Sequence, residues 1–222
     1  MNWDQSNFNE FVITQNVIGF FNEPIELNSG RLSYYYVNWR DVTSDVFLLD
    51  KLTDYIISYI KYLDLKPKCI YGVPEGATKL GIISQFKWAK EQNDYYAGNY
   101  PLTMGRGKQK LHGEPKDRIY IGIPKGDILI LEDVTTTGGS LIETIQKLNE
   151  FDIKIIAAIG LTNRNEIRDD GKSVKEVISQ YNIKYYAMSN AIDILPRLTI
   201  NKEIANHIKE YFKKYGTKQI EL

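Results

Sequence analysis

A single cysteine, two histidines and a net charge of zero leave this chain few of the usual handles for redox, metal or polyelectrolyte chemistry. Cys69 has no partner for an internal disulfide, and its apolar setting, Cys69-Ile70-Tyr71, predicts a buried, unreactive thiol in a reducing compartment. Lys plus Arg number 28 and Asp plus Glu number 28, which removes the bulk electrostatic case for nucleic acid or a membrane surface as a partner. No apolar run is long enough to span a bilayer. The polar start, Met1-Asn2-Trp3-Asp4-Gln5-Ser6-Asn7, has neither the basic nor the apolar region of a secretory signal. A soluble cytoplasmic protein is expected. No glycine-rich loop ends in Gly-Lys-Ser/Thr, so a Walker-type nucleotide site is excluded. Repeats and low-complexity linkers are absent, and 222 residues suit one domain with a substantial core.

Against these absences stands one dense stretch, Ile128-Leu129-Ile130-Leu131-Glu132-Asp133-Val134-Thr135-Thr136-Thr137-Gly138-Gly139-Ser140. Four aliphatic residues suit a strand buried on both faces. Ser140 and Glu143 have capping-box spacing ahead of Leu141, Ile142, Ile145 and Leu148, which predicts a helix ending near Glu150. The loop between them would present unpaired N–H groups and the positive end of a helix dipole, the means of holding a phosphate dianion. Thr135, Thr136, Thr137 and Ser140 add hydroxyl donors, and Gly138 and Gly139 permit close approach. Glu132 and Asp133 would repel phosphate but accept hydrogen bonds from sugar hydroxyls. Together these describe a ribose 5-phosphate site.

Elsewhere the pattern alternates strands and helices. A first helix is expected from Asn7 to Phe21, ended by Pro24, then a short hairpin between Ile25 and Trp39 turning at Asn28-Ser29-Gly30. Thr43 or Ser44 can cap a helix from about Asp45 to Leu63. Lys68 to Val73 reads as a strand, Gly72 to Gly76 as a loop and Lys79 to Gln92 as a helix; Tyr95 to Pro124 is irregular. Ile153 to Leu161 is another strand, and Asn201 to Tyr215 a closing helix. The alternation implies an α/β fold with a parallel sheet whose strands carry ligand loops at their carboxyl ends, so the loops after Val73, Asp133 and Leu161 should share one rim. Met104-Gly105-Arg106-Gly107-Lys108-Gln109-Lys110-Leu111-His112-Gly113-Glu114 places three cations and a histidine within seven residues of a glycine-rich loop suited to a polyanion.

The acid-pair and Thr/Gly-rich stretch resembles the signature of type I phosphoribosyltransferases. The cationic loop is similar to the mobile catalytic loop of orotate phosphoribosyltransferases: Arg106, Lys110, His112 and Gly113 match its spacing, while Gly107 replaces a lysine with Lys108 beside it. Leu27 to Asn38 resembles that family's N-terminal segment, with Asn28 in place of a lysine. Gly72-Val73-Pro74-Glu75-Gly76-Ala77 occupies its pyrophosphate loop without the lysine many members carry. Arg164 matches the arginine that meets the orotate carboxylate, with Asn163 in place of the usual Asp. Ser84 to Met104 has no counterpart in the pattern.

The resemblance implies a central, mainly parallel sheet flanked by helices, a single domain over 1–222, and a small hood from about residues 1–40 and the C-terminal part. It implies transfer of a phosphoribosyl group from phosphoribosyl pyrophosphate to orotate, with Mg²⁺ carried on the donor, no protein metal ligand assigned, and a homodimer with shared active sites. By that alignment Arg106, Lys110, His112 and Asp133 are catalytic. The donor would be held by Glu132, Asp133, Val134, Thr135, Thr136, Thr137, Gly138, Gly139, Ser140, Arg106, Lys108, Lys110, His112, Glu75 and Gly76. The base would be held by Arg164, Thr136, Tyr36, Val37 and Asn28. Another nucleobase as acceptor, or a non-catalytic sensor of the donor, are the competing readings.

Overall fold

The computed structural model describes residues 2–151 and 153–222. It opens with α1 (Gln5–Thr14), capped by the Asp4 side chain. The helix stops well short of Phe21 because Asn16 turns into the left-handed region at φ 50°. The residues after it form a strand instead. β1 (Ile18–Glu26) pairs antiparallel with β2 (Leu32–Val37), so the hairpin is longer than its tyrosines and turn suggested. Pro24 lies inside β1, where the register slips between Phe20 and Ile25, a place that tolerates a residue without an N–H.

α2 (Arg40–Ser44) and α3 (Val46–Tyr62) follow. The cap of α3 is Asp45, whose carboxylate accepts from the Leu48 N–H at 2.8 Å, because Thr43 and Ser44 are used within α2. Next come β3 (Cys69–Gly72) and α4 (Thr78–Lys90). Ser84 and Gln85 are buried on α4, and the Gln85 amide accepts from Ile70 N–H and donates to the Lys68 and Pro101 carbonyls, tying strand, helix and the following loop together. The polar segment that reads as irregular holds three short elements: β4 (Met104–Gly105), α5 (Pro115–Ile119) and β5 (Tyr120–Ile121), with β4 and β5 antiparallel. The chain then runs through β6 (Ile128–Thr135), α6 (Gly139–Asn149), β7 (Ile155–Asn163), α7 (Val174–Ser179), β8 (Lys184–Asn190), α8 (Ala191–Ile194) and α9 (Lys202–Tyr215), the last capped by Asn201.

β3, β6, β7 and β8 lie side by side in that order, each pair parallel. Alternation along each strand divides the interior in two. Ile70, Leu129, Leu131, Ile159 and Leu161 join Phe8, Ile56, Leu80, Ile208 and Phe212 on one side of the sheet. Cys69, Tyr71, Ile128, Ile130 and Ala158 join Leu141, Ile145, Val174 and Ile178 on the other. Cys69 is fully buried, as its apolar setting predicts, and burial pushes its thiol up to about 11.

The hairpin is held to the closing helix by aromatic packing. Tyr35 stacks on Phe212 with ring centroids 6.1 Å apart and meets Tyr211 edge-on at 6.2 Å. Phe212 is 1% exposed. Phe212→Ala should therefore lower unfolding stability by about 3–5 kcal/mol in urea melts; a loss below about 1 kcal/mol would show that the hairpin and α9 do not depend on this contact.

Candidate active site

β6 does not stop at its aliphatic run. It continues through Glu132 and Asp133 to Thr135, paired with β7 as far as Asn163. The turn is therefore shorter than it reads, and α6 begins at Gly139 with Gly138 as its cap in the left-handed region, φ 74°. Ser140 thus falls inside the first helical turn and makes no capping bond; Glu143 pairs with Lys147 at 2.6 Å instead of closing a capping box. The expected helix N-terminus is present, but glycine opens it.

Two adjoining cavities lie at the carboxyl ends of the strands. One, about 320 Å³, is lined by Asn28, Tyr36, Val37 and Asn38 from the hairpin, Arg40, Pro74 and Gly76 after β3, Glu132, Asp133, Thr136 and Ser140 around β6, and Arg164 after β7. The other, about 270 Å³, is lined by Asn28, Ser29, Glu132, Val134, Thr136, Thr137, Gly138, Gly139, Ser140 and Glu143. The loops after β3, β6 and β7 share one rim as the parallel topology requires. Thr135 is placed differently from its neighbours. It is buried, and its hydroxyl is 2.5 Å from the Tyr185 hydroxyl, so it braces the sheet rather than lining either cavity.

The two acids sit in unequal surroundings. Burial, then the charge of Asp133, hold the Glu132 carboxyl well above the usual carboxylate range. Asp133 is half-buried and accepts from the Val134 N–H at 2.9 Å. The loop after β3 presses against it so closely that a Cβ at Gly76 would collide with its carboxylate. Glycine is needed at 76 for that approach.

Arg164 is 1% exposed and deeply committed. Its Nε donates to Glu166 Oε1 at 2.7 Å, one terminal nitrogen to Ser33 Oγ at 3.0 Å and the other to the Tyr35 carbonyl at 3.3 Å, while the guanidinium lies 3.9 Å from the Tyr35 ring centre. One N–H on each terminal nitrogen stays free of these bonds. Glu166, also buried, turns its other oxygen to Arg31 at 2.9 Å, and Arg31 reaches Asp169 at 2.9 Å. Asn163, where an acid was expected, accepts from the Asn165 N–H at 2.9 Å and so shapes the turn carrying Arg164. Arg168 donates to the Thr137 carbonyl at 2.7 Å and holds the loop before α6. Arg31, Arg40, Glu166 and Arg168 carry no local motif, and a sequence reading passes over them.

The cationic loop abuts the loop after β3, but its cations do not reach the cavities. Lys108, Lys110 and His112 are exposed, Arg106 donates to the Asp117 carbonyl at 3.1 Å, and none of them lines either cavity. Glu75 lies against that loop, since a Cβ at Gly107 would run into its carboxylate. Among the described residues no group of three or more His, Cys, Asp or Glu could hold a metal ion alone, and no helix is long and apolar enough to cross a membrane.

No protein-family model matches the chain. The orotate phosphoribosyltransferase of Rhodopseudomonas palustris (strain TIE-1) is 34% identical over 155 residues, covering 64% of this chain and 74% of that one. That of Clostridium botulinum (strain Alaska E43 / Type E3) is 26% identical over 226 aligned residues, 96% of this chain and 98% of that one. The solved structure of the Francisella tularensis orotate phosphoribosyltransferase shares the fold, with a TM-score of 0.67 at 24% identity, covering 95% of this chain and 99% of that one.

Removing Glu166 strands the buried Arg164 and leaves Arg31 with Asp169 alone. Glu166→Ala should lower stability by about 3–5 kcal/mol in urea unfolding, and a loss under about 1 kcal/mol would mean the arginines find water or other partners. Glu132 predicts the reverse. Its carboxyl is raised in the folded state, so ionising it favours unfolding, and its contribution worsens as pH rises from the ordinary carboxylate range through the folded value. Glu132→Gln should be as stable as the parent near pH 4 (an ordinary glutamate titrates at about 4.3) and more stable at neutral pH. Equal melting curves at both pH values would refute this.

Proposed function

The chain belongs to the orotate phosphoribosyltransferase family, and from that premise we propose how its own residues carry the reaction. It is a glycosyltransferase that moves the 5-phosphoribosyl group from phosphoribosyl pyrophosphate to orotate, giving orotidine 5′-phosphate and pyrophosphate. The observation that best supports this reading is the single rim that sets an acid pair and a hydroxyl-lined helix N-terminus beside an aromatic hairpin and a buried arginine.

The cavity lined by Thr136 to Ser140 takes the 5′-phosphate, on N–H groups at the start of α6 and on hydroxyls. Glu132, which lines both cavities, and Asp133, which lines the larger, accept from the ribose hydroxyls and hold the anomeric carbon toward the hairpin. Tyr36, Val37 and Asn28 take the base, and the free N–H groups of Arg164 face its carboxylate. Fixing both reactants in this way supplies the positional part of catalysis. Displacement at the anomeric carbon sends negative charge onto departing pyrophosphate, and Arg106, Lys110 and His112 neutralise it. These three side chains line neither cavity of their own subunit, which favours a homodimer in which each subunit's loop closes over its neighbour's site and excludes water. Mg²⁺ would enter on the donor, where it would offset pyrophosphate charge when bound, and Glu132 and Asp133 are the acids of this chain that line the cavity it would occupy. We assign the reaction to the cytoplasm, and treat the hairpin with α9 as the hood over the base.

Loss of orotate absorbance with donor and Mg²⁺, run beside uracil and purine bases, tests the reading: turnover confined to orotate supports it, and folded, donor-binding protein without orotate turnover overturns it. Arg164→Lys keeps the charge but loses the fork. It should raise the KM for orotate about tenfold or more while that for the donor moves less than about threefold; equal losses for both substrates would remove Arg164 from the base.

A further inference from the structure

The donor brings a diphosphate as well as a 5′-phosphate, yet the rim is poor in positive charge. Asn28 and Glu75 stand beside it, Gly107 is pressed on the Glu75 carboxylate, and Glu132 and Asp133 add further acids. Among the described residues, the cations lining the larger cavity are Arg40 and Arg164. Arg164 is spent largely on Glu166, Ser33 and Tyr35. Lys79, the cation at the start of α4, donates to the Thr43 carbonyl at 3.1 Å.

Arg40 differs in having a fixed backbone and a free side chain. Its N–H is taken by Asn38 Oδ1 at 3.0 Å, and its carbonyl accepts from the Thr43 and Ser44 hydroxyls at 3.2 and 2.7 Å. Trp39 beside it is 1% exposed and donates from its indole to Thr162 Oγ1 at 3.0 Å, anchoring this turn to β7. The Arg40 guanidinium has no hydrogen-bond or ion-pair partner among the described residues, and it shares the cavity wall with Pro74 and Gly76 of the loop after β3. A planar guanidinium held at that wall suits two phosphoryl oxygens at once.

We propose that Arg40 is a binding residue for the diphosphate of the donor and of released pyrophosphate, a cation that this subunit itself contributes to its rim beside Arg164. The proposal rests on the transferase reading for the identity of the ligand, but its readout does not require turnover. Titrate phosphoribosyl pyrophosphate and inorganic pyrophosphate, each with Mg²⁺, into the full-length protein and into Arg40→Gln and Arg40→Lys, with Lys66→Gln as a charge-matched change outside the cavity. Arg40→Gln should weaken both ligands about tenfold, Arg40→Lys should recover part of the loss, and Lys66→Gln should leave both within twofold. In the steady state the KM for the donor should rise with Arg40→Gln while that for orotate stays within about twofold. Unchanged titrations overturn the proposal, as does a loss confined to orotate, which would move Arg40 to the base. A parent protein that binds the donor without consuming orotate defeats the transferase reading alone, and the ratio of dissociation constants still decides Arg40.

Discussion

The carboxylate of Glu166, shared between two buried arginines, is the contact around which the hairpin side of the rim is organised. A charge taken out of water must be met by opposite charge and hydrogen bonds, and here each oxygen has its own guanidinium, at 2.7 and 2.9 Å. The three groups come from two places far apart in the chain: Arg31 follows the hairpin turn, while Arg164 and Glu166 follow β7. α9 closes the set, with Tyr215 lying 4.4 Å from the Arg31 guanidinium and Tyr211 5.8 Å from that of Arg164. The orientation of Arg164 and the seating of the hairpin therefore depend on the same atoms. Loosening either would loosen the other.

The acid pair at the end of β6 is organised on the opposite principle. Glu132 is buried without an opposite charge, and the neighbouring Asp133 makes its ionisation harder still. Such a pair opposes folding, and the sheet absorbs the cost: β6 is central, flanked by β3 and β7, and its aliphatic residues are fully buried. A site that works against stability is tolerable where the surrounding strands are deepest in the core.

How much of this was legible in the sequence depended on distance along the chain. The strand, acid pair and Thr/Gly turn lie within thirteen residues and announce themselves. Alternation of strands and helices was likewise local, and gave the parallel sheet. The start of α6 was misplaced because a capping box and a glycine cap compete for the same stretch, and Gly138 at φ 74° won. The first helix ran too far because an apolar periodicity continues past Asn16, whose left-handed turn no periodicity reveals. β8, with sequence Lys184-Tyr185-Tyr186-Ala187-Met188-Ser189-Asn190, lacks the aliphatic density of its neighbours, as befits an edge strand, and passed unread. The Arg31–Glu166 pair joins residues 135 positions apart and left no trace in either local pattern.

The packing of the hairpin on α9 also sets an order of assembly. Translation releases Phe8, Phe11 and Tyr35 while Tyr211, Phe212 and Ile220, which complete the same core, are still unmade. Domains are built from the N-terminus outward on the ribosome. The hairpin can thus be seated only after α9 and Ile220 have emerged, and until then the nascent chain carries Phe8, Phe11 and Tyr35 without these closing partners.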